Sequence, residues 1–532
     1  MAGVKPPPQS SPRVPGAEEE GGTRGQTDLP RITRGGGGSW RSRGCTEGGA
    51  RVKFCAVVAE IFKSFLREHA MAGLINRRDF LRFSALAAGA VTVGCAKERG
   101  PTIITGQVTK HPASQTVNVA FIGVGGRGGG DLADTVKAGC NVVALCDVDN
   151  GALTHVAKQF PKARTYNDYR VLFDQMHKEI DAVVVATPDH HHYPASMMAM
   201  KLGKHVYCEK PLTHSVWEAR QIARVAREQR LATQMGTQGH AAEPIRLLTE
   251  WIAAGVIGNV SEVHIWTDRP AGWWPQGIDR PAKAEAEPAS LQNWDLWIGP
   301  APYRPYHSVY LPFKWRGWWD FGTGALGDIG CHAMDLPWTA LQLTGPTSVE
   351  AAVSGQTSET GPLWSDIAYE FPANGTRSAL KLFWYDGRNK DTSKQSPAWK
   401  SMTRLHEIGE LGDREVPVNG QLYIGDKGKI IITEGGPRLT PESKMKDFHA
   451  PPKTLPRSIG HHAEWLEACK GGKPAGSNFE YAGPLAEAVL MGNLAVRLGK
   501  KIEWDSRNMR ATNAPEAEGL IRRAYRRGWE IY

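Results

Sequence analysis

The apolar run Val117-Asn118-Val119-Ala120-Phe121-Ile122 leads directly into Gly123-Val124-Gly125-Gly126-Arg127-Gly128. A second apolar run, Val142-Val143-Ala144-Leu145-Cys146, ends on Asp147, nineteen residues after the last glycine. Strand, glycine turn, helix, strand and terminal acid in this order describe a parallel βαβ unit. The glycines let the chain turn tightly and bring backbone N–H groups to a pyrophosphate at the next helix's N-terminus, where the helix dipole favours negative charge. A carboxylate about 20 residues further on can accept both hydroxyls of a ribose. The segment thus reads as a dinucleotide site. Asp147 would repel a 2′-phosphate and Val148-Asp149-Asn150 supplies no Arg to hold one, so NAD is expected rather than NADP.

The same alternation continues. Strands are expected over 117–122, 142–145, 182–186, 205–208 and 232–235, with helices over 129–137, 152–159, 169–178, 194–202 and 216–229. This predicts an α/β domain over 113–236, a doubly wound parallel sheet with the cofactor across the strands' carboxyl ends. A helix over 244–254 and a strand over 263–266 then precede a long Trp- and Pro-rich stretch. Strand-like runs follow at 348–353, 367–371, 378–384, 421–423 and 429–433 without regular intervening helices, and helices near 462–470 and 483–498 come last. That pattern predicts a second domain, 237–505, of α+β type with a large open, mostly antiparallel sheet, followed by a tail over 506–532.

The chain of 532 residues carries a net charge of +9, but its first 95 residues hold 14 Lys/Arg against 8 Asp/Glu, so much of the excess lies outside the folded part and nucleic-acid binding is not implied. Residues 1–70, rich in Pro, Gly, Arg and Ser, cannot bury enough apolar surface to fold and are expected to be disordered, or an extension upstream of a true start at Met71. Arg77-Arg78-Asp79-Phe80-Leu81 and the uncharged stretch 83–95 resemble a twin-arginine export signal, placing a signal and linker over 71–112 and the protein in the periplasm. A lipid anchor at Cys95 is the alternative to plain cleavage, although Thr92 stands where Leu or Val is usual; a cytoplasmic protein with an apolar N-terminal helix is the plainer reading. No other apolar run is long enough for a transmembrane helix. The eight cysteines show no CxxC spacing and read as buried thiols.

Three later segments carry chemistry. Thr187-Pro188-Asp189-His190-His191-His192 follows a buried strand at the cofactor edge; three histidines suggest a metal, but no carboxylate or Cys cluster accompanies them, and a place on the cofactor rim is preferred. In Glu209-Lys210-Pro211, Lys210 can reach a substrate and stabilise alkoxide character on a reacting hydroxyl; pairing with Glu209 at the surface is the plainer alternative. A helix starting near Asp328 would put Asp328, His332 and Asp335 on one face, where a carboxylate one turn away raises an imidazole's basicity for acid/base work. An N-cap Asp and a structural His satisfy the same spacing.

Together the glycine motif with Asp147, Thr187-Pro188-Asp189-His190-His191-His192, Glu209-Lys210-Pro211 and Asp328-x-x-x-His332 resemble the Gfo/Idh/MocA oxidoreductases over residues 115–505, with His191 replacing the usual apolar residue. Trp294-Asp295-Leu296-Trp297 and Trp318-Trp319-Asp320-Phe321-Gly322 resemble the exported subgroup. The resemblance implies a Rossmann domain joined to an open-faced sheet domain with NAD(P) between them. It implies cofactor contacts from Gly123, Val124, Gly125, Gly126, Arg127, Gly128, Asp147, Thr187, Pro188, His190, His192, Glu209 and Lys210. It also gives Lys210 a substrate-positioning role, His332 the acid/base role and Asp328 an assisting role, with no metal, and a homo-oligomer formed through the open sheet.

Eight of the 18 tryptophans fall between Trp266 and Trp319. They suit either stacking on pyranose rings or anchoring a large loop. The expected activity is NAD-dependent hydride transfer at a secondary hydroxyl of a sugar, glycoside or cyclic polyol. Redox-neutral glycoside cleavage through a transient keto-sugar with retained NAD is the alternative within enzymology, and a non-catalytic sugar- or cofactor-binding protein the alternative outside it.

Overall fold

The short β-branched runs of 117–235 become strands of one parallel sheet. In the computed structural model, which describes residues 116–531 apart from 271, 292, 356, 388–394, 399–416 and 434, the elements alternate strictly. They are β1 (Asn118–Ile122), α1 (Arg127–Lys137), β2 (Asn141–Cys146), α2 (Asn150–Ala157), β3 (Arg164–Tyr166), α3 (Tyr169–Met176), β4 (Ala182–Val185), α4 (Asp189–Lys201), β5 (His205–Cys208), α5 (Val216–Gln229) and β6 (Thr233–Met235). The strand order β3-β2-β1-β4-β5-β6 is that of a Rossmann domain. All four residues of β4 are buried, as expected of a central parallel strand covered on both faces. β3 escaped the sequence reading because Thr165 is its sole β-branched residue. α4 begins at Asp189 rather than near Pro194, so the three histidines are helical and do not alternate as in a strand.

The second half starts with α6 (Glu243–Ala253) and β7 (Val260–Trp266), followed by α7 (Trp294–Ile298), α8 (Gly324–Ala333) and α9 (Asp335–Ala340). Strands β8 (Ser348–Val353), β9 (Ser365–Phe371), β10 (Leu380–Tyr385), β11 (Gly420–Gly425), β12 (Gly428–Thr433) and β13 (Gly436–Thr440) come next. Helices α10 (His461–Cys469) and α11 (Phe479–Leu498) lead to β14 (Ile502–Asp505) and β15 (Arg510–Ala511). A nine-stranded sheet, β13-β12-β11-β7-β10-β9-β8-β14-β15, results, antiparallel throughout except for β7 beside β10. Along β9 every second residue is buried, because one face of the sheet carries the core and the other does not.

The two halves interleave more than sequence order suggests. α10, expected to close the second domain, packs on the first sheet: Trp465, Leu466 and Cys469 share a core with Phe121, Val184 and Tyr207. Burying a side chain such as Phe121 contributes roughly 1.5–3 kcal/mol. Nor is 506–531 a free tail. β15 extends the second sheet, Arg523 donates to the carbonyl of His190 at 2.7 Å and pairs with Glu218, and the buried Trp529 ring meets His191 with centroids 5.5 Å apart.

Seven of the eight tryptophans between 266 and 319 are buried, which favours anchoring. Trp294, Trp297, Trp315 and Trp318 form a local core with Tyr310 and Phe321 under the long segment before α8. Trp273 is the exception, 51% exposed. Cys146, Cys208, Cys331 and Cys469 are free and buried, and Cys140 is free and half-buried. Met71, the twin-arginine segment, Cys45, Cys55 and Cys95 lie outside the described residues.

Candidate active site

Register places the expected cofactor residues at one level. Ile122 pairs with Cys146 and Val185, and Val185 with Cys208, so Gly123, Asp147, Ala186 and Glu209 all leave the sheet along one edge. Gly123 has φ +82°, and a Cβ there would lie 2.6 Å from the Ala186 carbonyl oxygen; a Cβ on Gly128 would lie 2.0 Å from that of Gly123. Neither position admits a side chain. The turn delivers the chain into the N-terminus of α1, the positive end of the helix dipole.

Asp147 Oδ2 accepts from the Val124 and Gly125 N–H groups at 2.9 and 3.3 Å, and Oδ1 from Asp149 N–H at 2.9 Å. Burial raises its carboxyl above the usual range, opposed by these three donors. The carboxylate therefore holds the glycine turn in shape. A Cβ built at Gly126 would meet nothing within 4 Å, and the Thr187 hydroxyl at the end of β4 is buried without a partner. An open cradle at a helix N-terminus beside an unpartnered hydroxyl and an anchored acid fits a dinucleotide.

Other expected cofactor residues are occupied elsewhere. Arg127 bonds Asp131 one turn along α1 and reaches Glu209 Oε1 at 3.3 Å; Gln238 also donates to Glu209, at 2.7 Å. Burial and the Asp131 charge push the Glu209 carboxyl upward. Arg127 and Glu209 thus clamp the turn to the end of β5 with their side chains. His190 places Nε2 2.9 Å from the Trp297 carbonyl oxygen and Nδ1 3.2 Å from that of Phe321. His192 faces the carbonyls of Pro211 and Thr187 at 2.6 and 2.8 Å. Both rings thus sit against backbone carbonyls, and His192 secures the turn that carries Lys210. Pro188 stands at the N-cap of α4.

Lys210 points from that turn into the second half. Its Nζ donates to Asp328 Oδ1 at 2.7 Å and to the Asp328 carbonyl at 2.9 Å, and Arg316 Nε donates to the same carboxylate oxygen at 2.9 Å. Burial alone would raise the Asp328 carboxyl; the two cations outweigh it and hold it at about 2. His332, one turn further along α8, is lowered to about 3, first by burial and then by the Lys210 charge, against the pull of Asp328. The expected increase in basicity from Asp328 is therefore outweighed, and the ring is neutral. The surface alternative for Lys210 fails too, since its carboxylate partner is Asp328 within the site.

Asp335 does not join this face. α8 ends at Ala333, and Asp335 opens α9, where it accepts from His240 Nδ1 at 2.9 Å and from the Tyr481 hydroxyl. Two groups went unseen in the sequence. Arg316 has no motif spacing to Asp328, because a short 3-10 helix, Lys314–Gly317, brings it there. Asp189, within a recognised motif, is buried beside the pair and accepts from Thr323 Oγ1 at 2.7 Å; burial raises its carboxyl to about 7.

These features define a protein of the NAD-binding Rossmann type. Residues 117–237 match the Gfo/Idh/MocA family model described as an oxidoreductase family with an NAD-binding Rossmann fold, and residues 244–396 match that family's C-terminal alpha/beta domain. The chain belongs to the Gfo/Idh/MocA oxidoreductase family. It is 32% identical over 208 residues to glycosyl hydrolase family 109 protein 1 of Shewanella sp. strain ANA-3, and 31% identical over 206 residues to an alpha-N-acetylgalactosaminidase of Shewanella oneidensis. Each match spans 35% of this chain and 44% of the relative, under half its length. The fold resembles that of the WlbA dehydrogenase from Bordetella pertussis, solved with NADH and UDP-GlcNAcA, at a TM-score of 0.50 and 14% identity over 74% of this chain and 99% of that one.

Proposed function

We propose that this protein is an NAD-dependent oxidoreductase acting on a secondary hydroxyl of a sugar, glycoside or cyclic polyol. The observation that carries the reading is the locked Lys210–Asp328 pair beside a neutral His332, at the carboxyl edge of the sheet that holds the glycine turn. The turn, Asp147 and Thr187 would hold NAD, whose nicotinamide supplies a hydride acceptor. Lys210 Nζ, oriented by Asp328, directs its remaining N–H toward the substrate oxygen and stabilises negative charge there. His332 accepts the hydroxyl proton. A weakly basic ring suffices, because a hydroxyl on a carbon undergoing oxidation becomes strongly acidic. Arg316 keeps Asp328 ionised and in place.

A second reading, redox-neutral cleavage of a glycoside with NAD retained, is favoured by the two Shewanella relatives and their names. In that case the same His332 and Lys210 serve the first oxidation. Incubating the protein and NAD with a panel of glycosides and polyols separates the readings. Accumulating reduced nicotinamide supports net oxidation, and released aglycone without it supports the second reading. Absence of both overturns enzymatic activity on these sugars and leaves a binding role. Export through the twin-arginine route and self-association through the open face of the nine-stranded sheet belong to the same proposal, the first resting on Arg77 and Arg78.

A further inference from the structure

Beside the candidate site, two aromatic rings face solvent with their charges beneath them. Trp273 is 51% exposed and Phe313 39%, with ring centroids 5.9 Å apart and planes inclined at 41°. The Arg269 guanidinium lies 3.7 Å from the Trp273 ring centroid and the Arg316 guanidinium 4.0 Å from that of Phe313. The arginine side chains are only 19% and 15% exposed. The usual order at a surface is reversed: long cationic side chains ordinarily cover apolar groups and keep their charge in water. Here the cations are inside, paired with Asp268 and Asp328, and the apolar faces are outside.

Phe313 also holds φ +67°, a region costly for a bulky residue and retained where the surroundings over-determine it. In a segment where seven tryptophans are buried, this corner leaves aromatic area in water. Arg316 joins it to the site, since the guanidinium under Phe313 also bonds the Asp328 carboxylate that grips Lys210.

We propose that Trp273 and Phe313 form a stacking subsite for a second pyranose ring, the one joined to the ring that presents its hydroxyl to Lys210. The proposal rests on the sugar reading above. One guanidinium and one carboxylate separate the shelf from the ammonium, the scale of a neighbouring residue in a glycoside. Two inclined rings make a shallow trough suited to the puckered C–H face of a chair.

The test is calorimetric titration of the full chain, saturated with NADH, with matched ligands: methyl α-glucoside against maltose, and methyl α-N-acetylgalactosaminide against N-acetylgalactosaminyl-α-1,3-galactose. Aromatic stacking predicts a preference of about three- to tenfold for the disaccharide of the pair that binds. Trp273→Ala and Phe313→Ala should bring that ratio to about one, and Trp273→Tyr, which keeps a ring, should retain most of it. A disaccharide preference that survives both alanine variants overturns the subsite. So does a wild-type protein that binds methyl glycosides and disaccharides equally, or one that prefers p-nitrophenyl glycosides over disaccharides. Binding of neither class overturns the sugar reading itself, and the shelf with it.

Discussion

Lys210 Nζ lies 2.7 Å from Asp328 Oδ1, across the junction between the turn after β5 and helix α8. The ammonium also reaches the Asp328 carbonyl, and Arg316 donates to the same carboxylate oxygen. Two residues 118 positions apart are thus bound into one unit, with the neutral His332 one turn further along the helix.

Breaking this unit from either side should be unequal. Asp328→Asn leaves Lys210 and Arg316 facing each other without their counter-charge and should destabilise the protein by about 3 kcal/mol or more. Lys210→Met leaves Asp328 with Arg316 and should cost less, and the double variant less than the sum of the two. Urea unfolding measures all three. Because the Asp328 carboxyl is held near 2 in the folded protein, below its ordinary 3.8, its stabilisation is present above pH 3.8 and fades as pH falls through about 2.

His332→Ala should lower the chemical step by about 10²- to 10⁴-fold, the usual worth of a positioned acid/base, with little change in NADH affinity. Burial and the Lys210 charge hold the ring well below an ordinary imidazole, so the acid limb of kcat/KM due to His332 is expected below pH 6.5. Near-normal turnover of the variant on the best substrate would make the histidine structural.

Asp147→Ala should weaken NAD far more than NADP, read by nucleotide titration. The carboxylate also holds the Val124 and Gly125 N–H groups, so part of the loss comes from a loosened turn. Equal losses for the two nucleotides would confine Asp147 to that loop-holding role.

Asp189 sets a pH dependence of opposite sign. Its carboxyl is raised to about 7 in the folded protein from 3.8, so folding is favoured while it is protonated, and its contribution, up to about 4 kcal/mol, is lost as pH rises from about 4 through 7. Asp189→Asn should flatten the decline in unfolding free energy over that window. An unchanged slope would assign the decline to other buried acids, such as Asp386.

Replacing Arg77 and Arg78 with Lys should retain the protein in the cytoplasm, scored by fractionation. Undiminished periplasmic recovery would refute twin-arginine export.

The Rossmann half was legible because its signals are local. A strand's apolar run, a glycine turn that excludes side chains and a strand-terminal acid each lie within a few residues, and the parallel register then aligns Gly123, Asp147 and Glu209 without further information. The i, i+4 spacing of Asp328 and His332 was legible for the same reason. What each side chain touches was not. His190 and His192 read as a place on the cofactor rim, and only the folded chain sets their ring nitrogens within 2.6–3.2 Å of the backbone carbonyls of Pro211, Thr187, Trp297 and Phe321, far apart in the chain.

Local pattern therefore determined the fold class and the nucleotide edge, and it singled out Lys210 and His332 as candidates. Tertiary structure alone decided the electrostatics: Arg316 enters from a short 3-10 helix, α10 crosses back onto the first sheet, Asp335 departs to His240, and Trp273 stays exposed while the other tryptophans of its segment are buried. The physical reason is range. Hydrogen bonding along the backbone and side-chain periodicity are set by near neighbours, whereas desolvation and charge pairing sum over every group that packing brings close, whatever its place in the chain.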